Sequence, residues 1–274
     1  MSQENLYHRD YYLKDCEGFG EFLRTKGRKL SRRLAKCLAL AAVKPLERVI
    51  DVGAGRGELA LHAAFLGAVA VAVDPSREGL KLLGEAITAW ETASRHTQER
   101  APFSRSRPLP VLARGEALPL PASWANALFL SDVVEHLRAE ELVKLLAECK
   151  RVLGRGGRLV IHTQPNRTLV QFTIPFLSYF SRLWGVALPR DLRTEMTPGS
   201  RGNYHPGEQS LGSLRTALLK TGFVIDELWL EGSYGVHRAF GEASFKRLLL
   251  RFFRQSLFLK KLLATQIFAL AKKP

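Results

Sequence analysis

Cysteine is scarce in this chain of 274 residues: Cys16, Cys37 and Cys149 are odd in number, widely spaced and free of any C-x-x-C pair. Neither a disulfide framework nor a thiolate metal cluster is implied, and the three thiols read as buried or incidental. No run of about 18 uncharged apolar residues occurs, so no membrane-spanning helix is expected. The opening MSQENLYHRD lacks the basic patch and apolar core of a signal peptide, and a cytoplasmic protein is the expectation. Acidic residues are also few, 26 against 41 lysines and arginines, for a formal net charge of +15. That excess concentrates anionic partners near the surface without identifying them. Part of it sits between Arg24 and Lys36, where Arg24, Lys26, Arg28, Lys29, Arg32, Arg33 and Lys36 have no acidic residue among them. A solvated helix face and a patch for phosphate or an acidic membrane surface both fit such a run.

A hydrophobic content of 46% is enough to bury one sizeable core with a cap or an insertion. Arg48 to Asp51 and Ala68 to Asp74 (AVAVAVD) read as buried parallel strands around a helical stretch, Glu58 to Leu66, which makes one βαβ unit. Ala125 to Ser131, Gly157 to Thr163, Phe223 to Glu231 and Thr265 to Ala271 are four further candidate strands. Helical patterns cover Ala139 to Leu153, Gln209 to Lys220 and Ala243 to Leu257. The alternation predicts an α/β, Rossmann-like doubly wound sheet. Thr97 to Pro110 and Pro198 to Gly207 read as linkers, and no internal repeat is present.

The stretch VIDVGAGRGELA, from Val49 to Ala60, falls at the carboxyl end of the first strand and opens the first helix, where open α/β sheets bind ligands. Gly53, Gly55 and Gly57 remove side chains so that the backbone can turn tightly and approach a ligand, and helix N-terminal amides favour a carboxylate or phosphate. Asp74 ends the second strand, where a carboxylate can accept hydrogen bonds from both hydroxyls of a ribose. The pocket is thus expected to hold a nucleoside. A nicotinamide site would make similar demands, but the third glycine of G-x-G-x-x-G would fall on Glu58.

The pattern D-x-G-x-G-x-G, with Asp51 two residues before the first glycine, resembles motif I of the class I S-adenosylmethionine-dependent methyltransferases. Asp74-Pro-Ser76 resembles the family's ribose-binding acid, and Gly115-Glu-Ala-Leu-Pro-Leu120 its adenine segment. Ser131-Asp-Val-Val-Glu-His-Leu137 is similar to the motif after strand four, and Leu153-Gly-Arg-Gly-Gly-Arg-Leu-Val-Ile161 to the turn that leads into strand five. Gln266 to Pro274 resembles the last strand, which in this family slots antiparallel between its neighbours. The resemblance implies a seven-stranded, mostly parallel sheet with an antiparallel last strand and a helical lid. It also implies S-adenosyl-L-methionine as cofactor, held by Asp51, Gly53, Ala54, Gly55, Gly57, Asp74, Pro75, Gly115, Glu116 and Ser131. Two departures stand out: Arg114 occupies the position of an adenine-binding aspartate, and Arg155 that of a turn proline.

Methyl transfer from a sulfonium is an in-line displacement, so positioning supplies much of the catalysis and a base removes a proton where the nucleophile needs it. His136, just after the fourth strand, has the near-neutral titration a base requires, and a structural or cofactor-lining role is its alternative. Asp132, Glu135 and His136 form D-x-x-E-H, three potential ligands on one helical face by the i, i+3, i+4 rule. Ordinary lining or helix capping is the preferred reading of that triplet, and no metal is assigned. His162 follows the fifth strand and is expected to face the acceptor, or else to terminate the strand in a turn. His205 lies in a Gly- and Pro-rich loop, either acceptor-facing or solvated.

Residues 1–44 read as a basic helical cap and 45–274 as the methyltransferase domain, with a lid insertion at about 167–205. That insertion carries Phe172, Phe176, Tyr179, Phe180 and Trp184. It fits an acceptor lid, a helix packed on the core, or, with Arg182, Arg190 and Arg193 near it, a surface that docks on a membrane. Phe245 to Arg254 reads as the crossover helix before the last strand. The expected activity is methyl transfer to a small or medium organic acceptor, a small molecule or a lipid-like one, at oxygen before nitrogen or carbon. An RNA methyltransferase is the enzymatic alternative, motivated by charge and opposed by the lack of an N-P-P-Y-like motif after strand four. A non-catalytic S-adenosylmethionine-binding protein is the other, and the oligomeric state stays open.

Overall fold

The computed structural model describes residues 7–97, 107–181, 206–232 and 264–274. Seven strands form one sheet: β1 (Arg48–Val52), β2 (Val69–Asp74), β3 (Leu109–Leu112), β4 (Ala125–Ser131), β5 (Leu153–Thr163), β6 (Val224–Glu231) and β7 (Gln266–Lys272). Their spatial order is β3-β2-β1-β4-β5-β7-β6. The first five run parallel, and β7 is antiparallel to both of its neighbours, with Ile161 opposite Ala269 and Leu228 opposite Ala269 on the other side. The chain order reverses between β1 and β4, which makes the carboxyl ends of these two strands the switch point where such sheets hold ligands.

Central strands read as unbroken apolar runs because both of their faces are covered. Ile50, Val52, Val71, Val73, Leu128, Leu130, Leu159 and Ile161 pack on one face against α5 (Ala139–Val152) and α7 (Leu211–Lys220). The alternate residues Val49, Ala70, Ala72, Ala127, Phe129 and Val160 pack on the other against α2 (Arg32–Ala41), α3 (Glu58–Phe65) and α4 (Arg77–Thr97). Two-residue periodicity thus sorts one strand's side chains into two separate cores.

Helix α4, 21 residues long, is absent from the sequence expectations. It buries Leu82, Leu83, Ala86, Ile87 and Trp90, a helical stripe interrupted in the sequence by Gly79 and Gly84. Gly79 has a contact reason: a Cβ there would stand 2.9 Å from the Gly55 carbonyl oxygen, so only glycine lets α4 press against the glycine loop. The expected linker to Pro110 ends instead in the edge strand β3, whose Leu109 and Leu112 are exposed. Strand β5 starts at Leu153, four residues before the expected Gly157, and its pairing with β4 shifts register between Ala125 and Ala127.

The N-terminal segment folds as a π-helical turn (Tyr11–Asp15), α1 (Phe19–Thr25) and α2. The reading of its basic run as a solvated face needs correcting at one position. Arg33 takes a place in the buried stripe of α2, with Leu34, Cys37 and Ala41, while Arg24, Lys26, Arg28, Lys29 and Arg32 stay exposed. Lys36 pairs with Glu231 on β6.

After β5, a π-helical turn (Leu169–Thr173) leads into α6 (Ile174–Ser181). Leu169, Val170 and Ile174 are buried, whereas Phe172, Phe176 and Tyr179 are 67%, 64% and 71% exposed. The expectation of a helix that packs its aromatics on the core does not hold for these three. Trp184, Arg182, Arg190, Arg193 and the rest of the expected lid to residue 205 lie outside the described residues, as does the expected helix Ala243 to Leu257. Among the described residues no helix is long and apolar enough to cross a membrane.

Candidate active site

A cleft opens at the carboxyl ends of β1, β2 and β4. Asp51, Gly53, Ala54, Gly55, Asp74, Pro75, Gly115, Glu116 and Ser131 all line it, and so does His136. Gly57 does not. It is the left-handed N-cap of α3 (φ +72°), and a Cβ would come within 2.6 Å of Leu83, so its glycine serves the turn and the packing of α4.

The loop between β1 and α3 is fixed from below. The Gly53 and Ala54 amides both donate to the Val73 carbonyl, at 2.8 and 3.1 Å, and the Gly55 amide donates to Asp74 Oδ2 at 2.7 Å. A Cβ on Gly53 would stand 2.4 Å from Val133, and one on Gly55 3.0 Å from the Tyr12 ring. Only bare backbone therefore leaves room in this cradle.

Asp74 closes β2 and accepts from the Gly55 amide, from the Ser76 amide at 2.7 Å and from the Tyr12 hydroxyl at 3.5 Å. Burial pushes its carboxyl up from the ordinary value, against the pull of the two amides and the hydroxyl. A carboxylate offers about four acceptor positions, so one is left for a ribose hydroxyl, and a second is gained where a ligand displaces the long 3.5 Å bond from Tyr12. Asp51 is buried beneath the loop, where Ala60 of α3 donates its amide at 3.3 Å. Burial raises Asp51 to about 7, an effect that the Ala60 amide only partly offsets.

Asp132 follows β4 in a left-handed conformation (φ +56°), and residues Val134–His136 form a single 3-10 turn. The helical face assumed for D-x-x-E-H does not exist, and its three side chains diverge. Asp132 Oδ2 lies 3.0 Å from Arg33 Nη2, and Oδ1 lies 2.8 Å from His162 Nδ1. Burial would raise the Asp132 carboxyl, but the Arg33 guanidinium and then His162 outweigh it and hold the group well below the usual carboxylate range. Glu135 is buried on another side and accepts from the Thr163 hydroxyl at 2.8 Å. Burial, reinforced by the nearby Asp132, pushes its carboxyl up. His136 turns to the cleft, its ring edge-on to Tyr7 at 6.1 Å. Among the described residues, no group of three or more His, Cys, Asp or Glu is arranged to hold a metal ion.

His162 departs from the acceptor-facing expectation. It sits within β5 and is fully buried, tilted against Phe268 of β7 at 4.8 Å between ring centres. Strand alternation sends its side chain to the α2 face of the sheet, where it lies behind Asp132 and does not line the cleft. His205 lies outside the described residues. Arg114, at the position of the expected adenine-binding acid, lines the cleft and comes within 3.7 Å of Glu116.

Sequence reasoning passed over the residues that cover the cleft. Tyr7, Tyr11, Tyr12, Cys16 and Arg33 all line it. The tyrosine rings meet edge to face, Tyr7 on Tyr11 at 5.3 Å and Tyr11 on Tyr12 at 5.2 Å. Arg56 fastens this segment to the glycine loop: its side chain donates to the Tyr12 carbonyl at 2.7 Å and the Glu17 carbonyl at 2.8 Å, and pairs with Glu58 at 2.9 Å. Two signals were available, the three tyrosines within six positions and the i, i+4, i+8 stripe Arg33, Cys37, Ala41.

Residues 50–161 match the sequence profile of a family described as "Methyltransferase domain". The mitochondrial ubiquinone biosynthesis O-methyltransferase of Mus musculus is 30% identical over 133 residues, which cover 48% of this chain and 32% of that protein. The counterpart from Parvibaculum lavamentivorans is 32% identical over 130 residues, 47% of this chain and 45% of that protein. The chain thus spans a third to just under half the length of these curated relatives. A solved S-adenosylmethionine-dependent methyltransferase from Methanosarcina mazei shares the fold at 15% identity, with a TM-score of 0.54 over 89% of this chain and 98% of the other. The family match over residues 50–161 and the reversed sheet agree with the ordered motifs, and the chain has the fold of solved S-adenosylmethionine-dependent methyltransferases.

Proposed function

We propose that this protein transfers the methyl group of S-adenosylmethionine to a small or medium organic acceptor, at an oxygen atom. The observation that carries the reading is a single cleft in which the motif-derived cofactor positions face His136 and a wall of tyrosine rings. In this reading Asp74 takes the ribose hydroxyls, Gly115 and Glu116 the adenine, and the loop from Gly53 to Gly55 with Asp51 and Ser131 the methionine end. When bound, the cofactor supplies an activated methyl group on a positively charged sulfur. The protein's share is to hold the acceptor, keep water out and remove a proton. Tyr7 and Tyr11 present apolar edges that suit a planar acceptor, and His136 is the side chain on this wall whose ordinary titration range suits a base. The O-methyltransferases among the curated relatives favour oxygen. Residues 1–44 act as a cap on the domain that follows.

The test is incubation of the purified protein and methyl-labelled S-adenosylmethionine with lysate separated into protein, nucleic-acid, lipid and small-molecule pools. Label in the small-molecule or lipid pool is the expected result. Label confined to nucleic acid, or none in any pool, would overturn the reading.

A further inference from the structure

We propose that α1 and the basic turn after it form a docking surface for an acidic lipid bilayer. The proposal goes beyond the cofactor reading and does not depend on it.

Helix α1 buries Phe22 and leaves Phe19 and Leu23, one turn apart on the same face, 38% and 42% exposed. Beside them Arg24, Lys26, Arg28, Lys29 and Arg32 all reach solvent. One carboxylate of α1, Glu21, meets this group, at 3.3 Å from Arg24 and 3.5 Å from Lys29. Glu85 on α4, which feels the Lys26 charge, is already held by Arg9 at 2.8 Å, and Glu17 by Arg33 at 3.1 Å. Among the described residues, Lys26, Arg28 and Arg32 have no acidic partner at ion-pair distance.

The fold holds this charge in place. The Trp90 indole N–H donates to the Lys26 carbonyl at 2.7 Å, and His62 Nε2 stands 2.9 Å from the Gly27 carbonyl, so α3 and α4 clamp the backbone of the turn while its cations stay exposed. Arg32 opens α2, whose first turn has no acidic residue. A cation there opposes the positive end of the helix, so the local structure gains nothing from it. Repulsion among five cations adds to that cost, and an anionic surface relieves both.

The apolar pair decides which anionic surface fits. The phosphates of a nucleic acid satisfy the cations but give Leu23 nothing to bury against. A bilayer satisfies both: its headgroup phosphates meet the arginines and lysines, and its acyl boundary takes Phe19 and Leu23. Helix α1 also follows directly on the segment whose Tyr11, Tyr12 and Cys16 line the cleft, so docking holds the covering segment of the cleft at the membrane.

Sedimentation of the full chain with vesicles tests this, using phosphatidylcholine alone and with about one third phosphatidylglycerol. Binding is expected to the mixed vesicles only, and it is expected to fall as salt is raised. Lys26→Asn with Lys29→Gln and Arg32→Gln is expected to weaken it about 10- to 100-fold, and Phe19→Ser with Leu23→Ser about 10-fold. All five side chains are exposed, so both variants are expected to melt with the wild type. Should the triple variant melt early, Arg32→Gln alone is expected to weaken binding about fivefold. Equal binding to both vesicle types, no binding to either, or full affinity in either variant would overturn the proposal. So would tighter binding to a single-stranded oligonucleotide than to the mixed vesicles, which would assign the patch to nucleic acid. No cofactor or acceptor enters this assay, so its failure leaves the methyl-transfer reading untouched.

Discussion

The Gly55 amide donates to the Asp74 carboxylate across 2.7 Å, joining the loop after β1 to the end of β2. One carboxylate thereby shapes the glycine cradle and faces the cleft, so its loss has two effects. Asp74→Ala is expected to weaken S-adenosylhomocysteine binding by about 1–3 kcal/mol, the range for a charged hydrogen bond. Calorimetry checks it, and unchanged affinity would remove Asp74 from the ribose position. Asp74→Asn, which keeps an acceptor for Gly55, is expected to retain more thermal stability than Asp74→Ala while losing comparable affinity.

Gly57 answers to packing. Gly57→Ala places a Cβ at φ +72° and 2.6 Å from Leu83, a combination of left-handed strain and overpacking that costs about 2–4 kcal/mol. Urea denaturation is expected to show that loss, and Leu83→Ala in the same chain is expected to recover part of it by removing the clash. Full additivity of the two losses would contradict this account.

Stability should fall as pH rises from about 4 to about 7. Asp51, whose ordinary value is 3.8, is raised to about 7 by burial, so over that window the native state holds a proton that the unfolded chain has released. Glu135, also raised, acts with the same sign. Asp132 is depressed and acts oppositely, but its loss of stability falls below about pH 4, the range of an unperturbed carboxylate. Asp51→Asn is expected to flatten the slope by about 1–3 kcal/mol between these limits. Melting curves at stepped pH test it, and a slope identical to wild type would exclude Asp51 as its source.

Asp132 ties together three elements: its own turn after β4, Arg33 on α2 and His162 on β5. Asp132→Ala leaves a buried guanidinium without its main partner and should cost about 3 kcal/mol or more. Adding Arg33→Met removes the stranded charge, so the double variant is expected to lose less than the two single losses combined. A strictly additive double-mutant cycle would show that the pair contributes nothing to folding.

What the sequence made legible follows physical range. The glycine loop, Asp74 and the strand runs could be read because the backbone's demands are local: three glycines, an acid at a strand end, apolar stretches of five or six residues. Tyr12 over Asp74 and Arg33 beside Asp132 join positions 62 and 99 residues apart in the chain, and no spacing rule spans that gap. D-x-x-E-H misled because the i, i+3, i+4 rule presupposes a helix, whereas Asp132 is left-handed and only three residues after it turn. His162 misled because the expectation puts it beyond the strand, whereas it still lies within β5, where alternation sends side chains into the two cores. Helix α4 escaped notice because Gly79 and Gly84 weaken its propensity, although Leu82 to Trp90 carries the helical stripe.

Strand β7 has a consequence for how the protein is made. Residues 266–272 lie between β5 and β6, so when residues 224–231 leave the ribosome they have no place in the sheet to occupy. Both edges of that half stay bare until the chain has been synthesised some forty residues further. A nascent chain stalled within that interval would offer two unpaired strand edges at once, the configuration most open to wrong pairing between molecules.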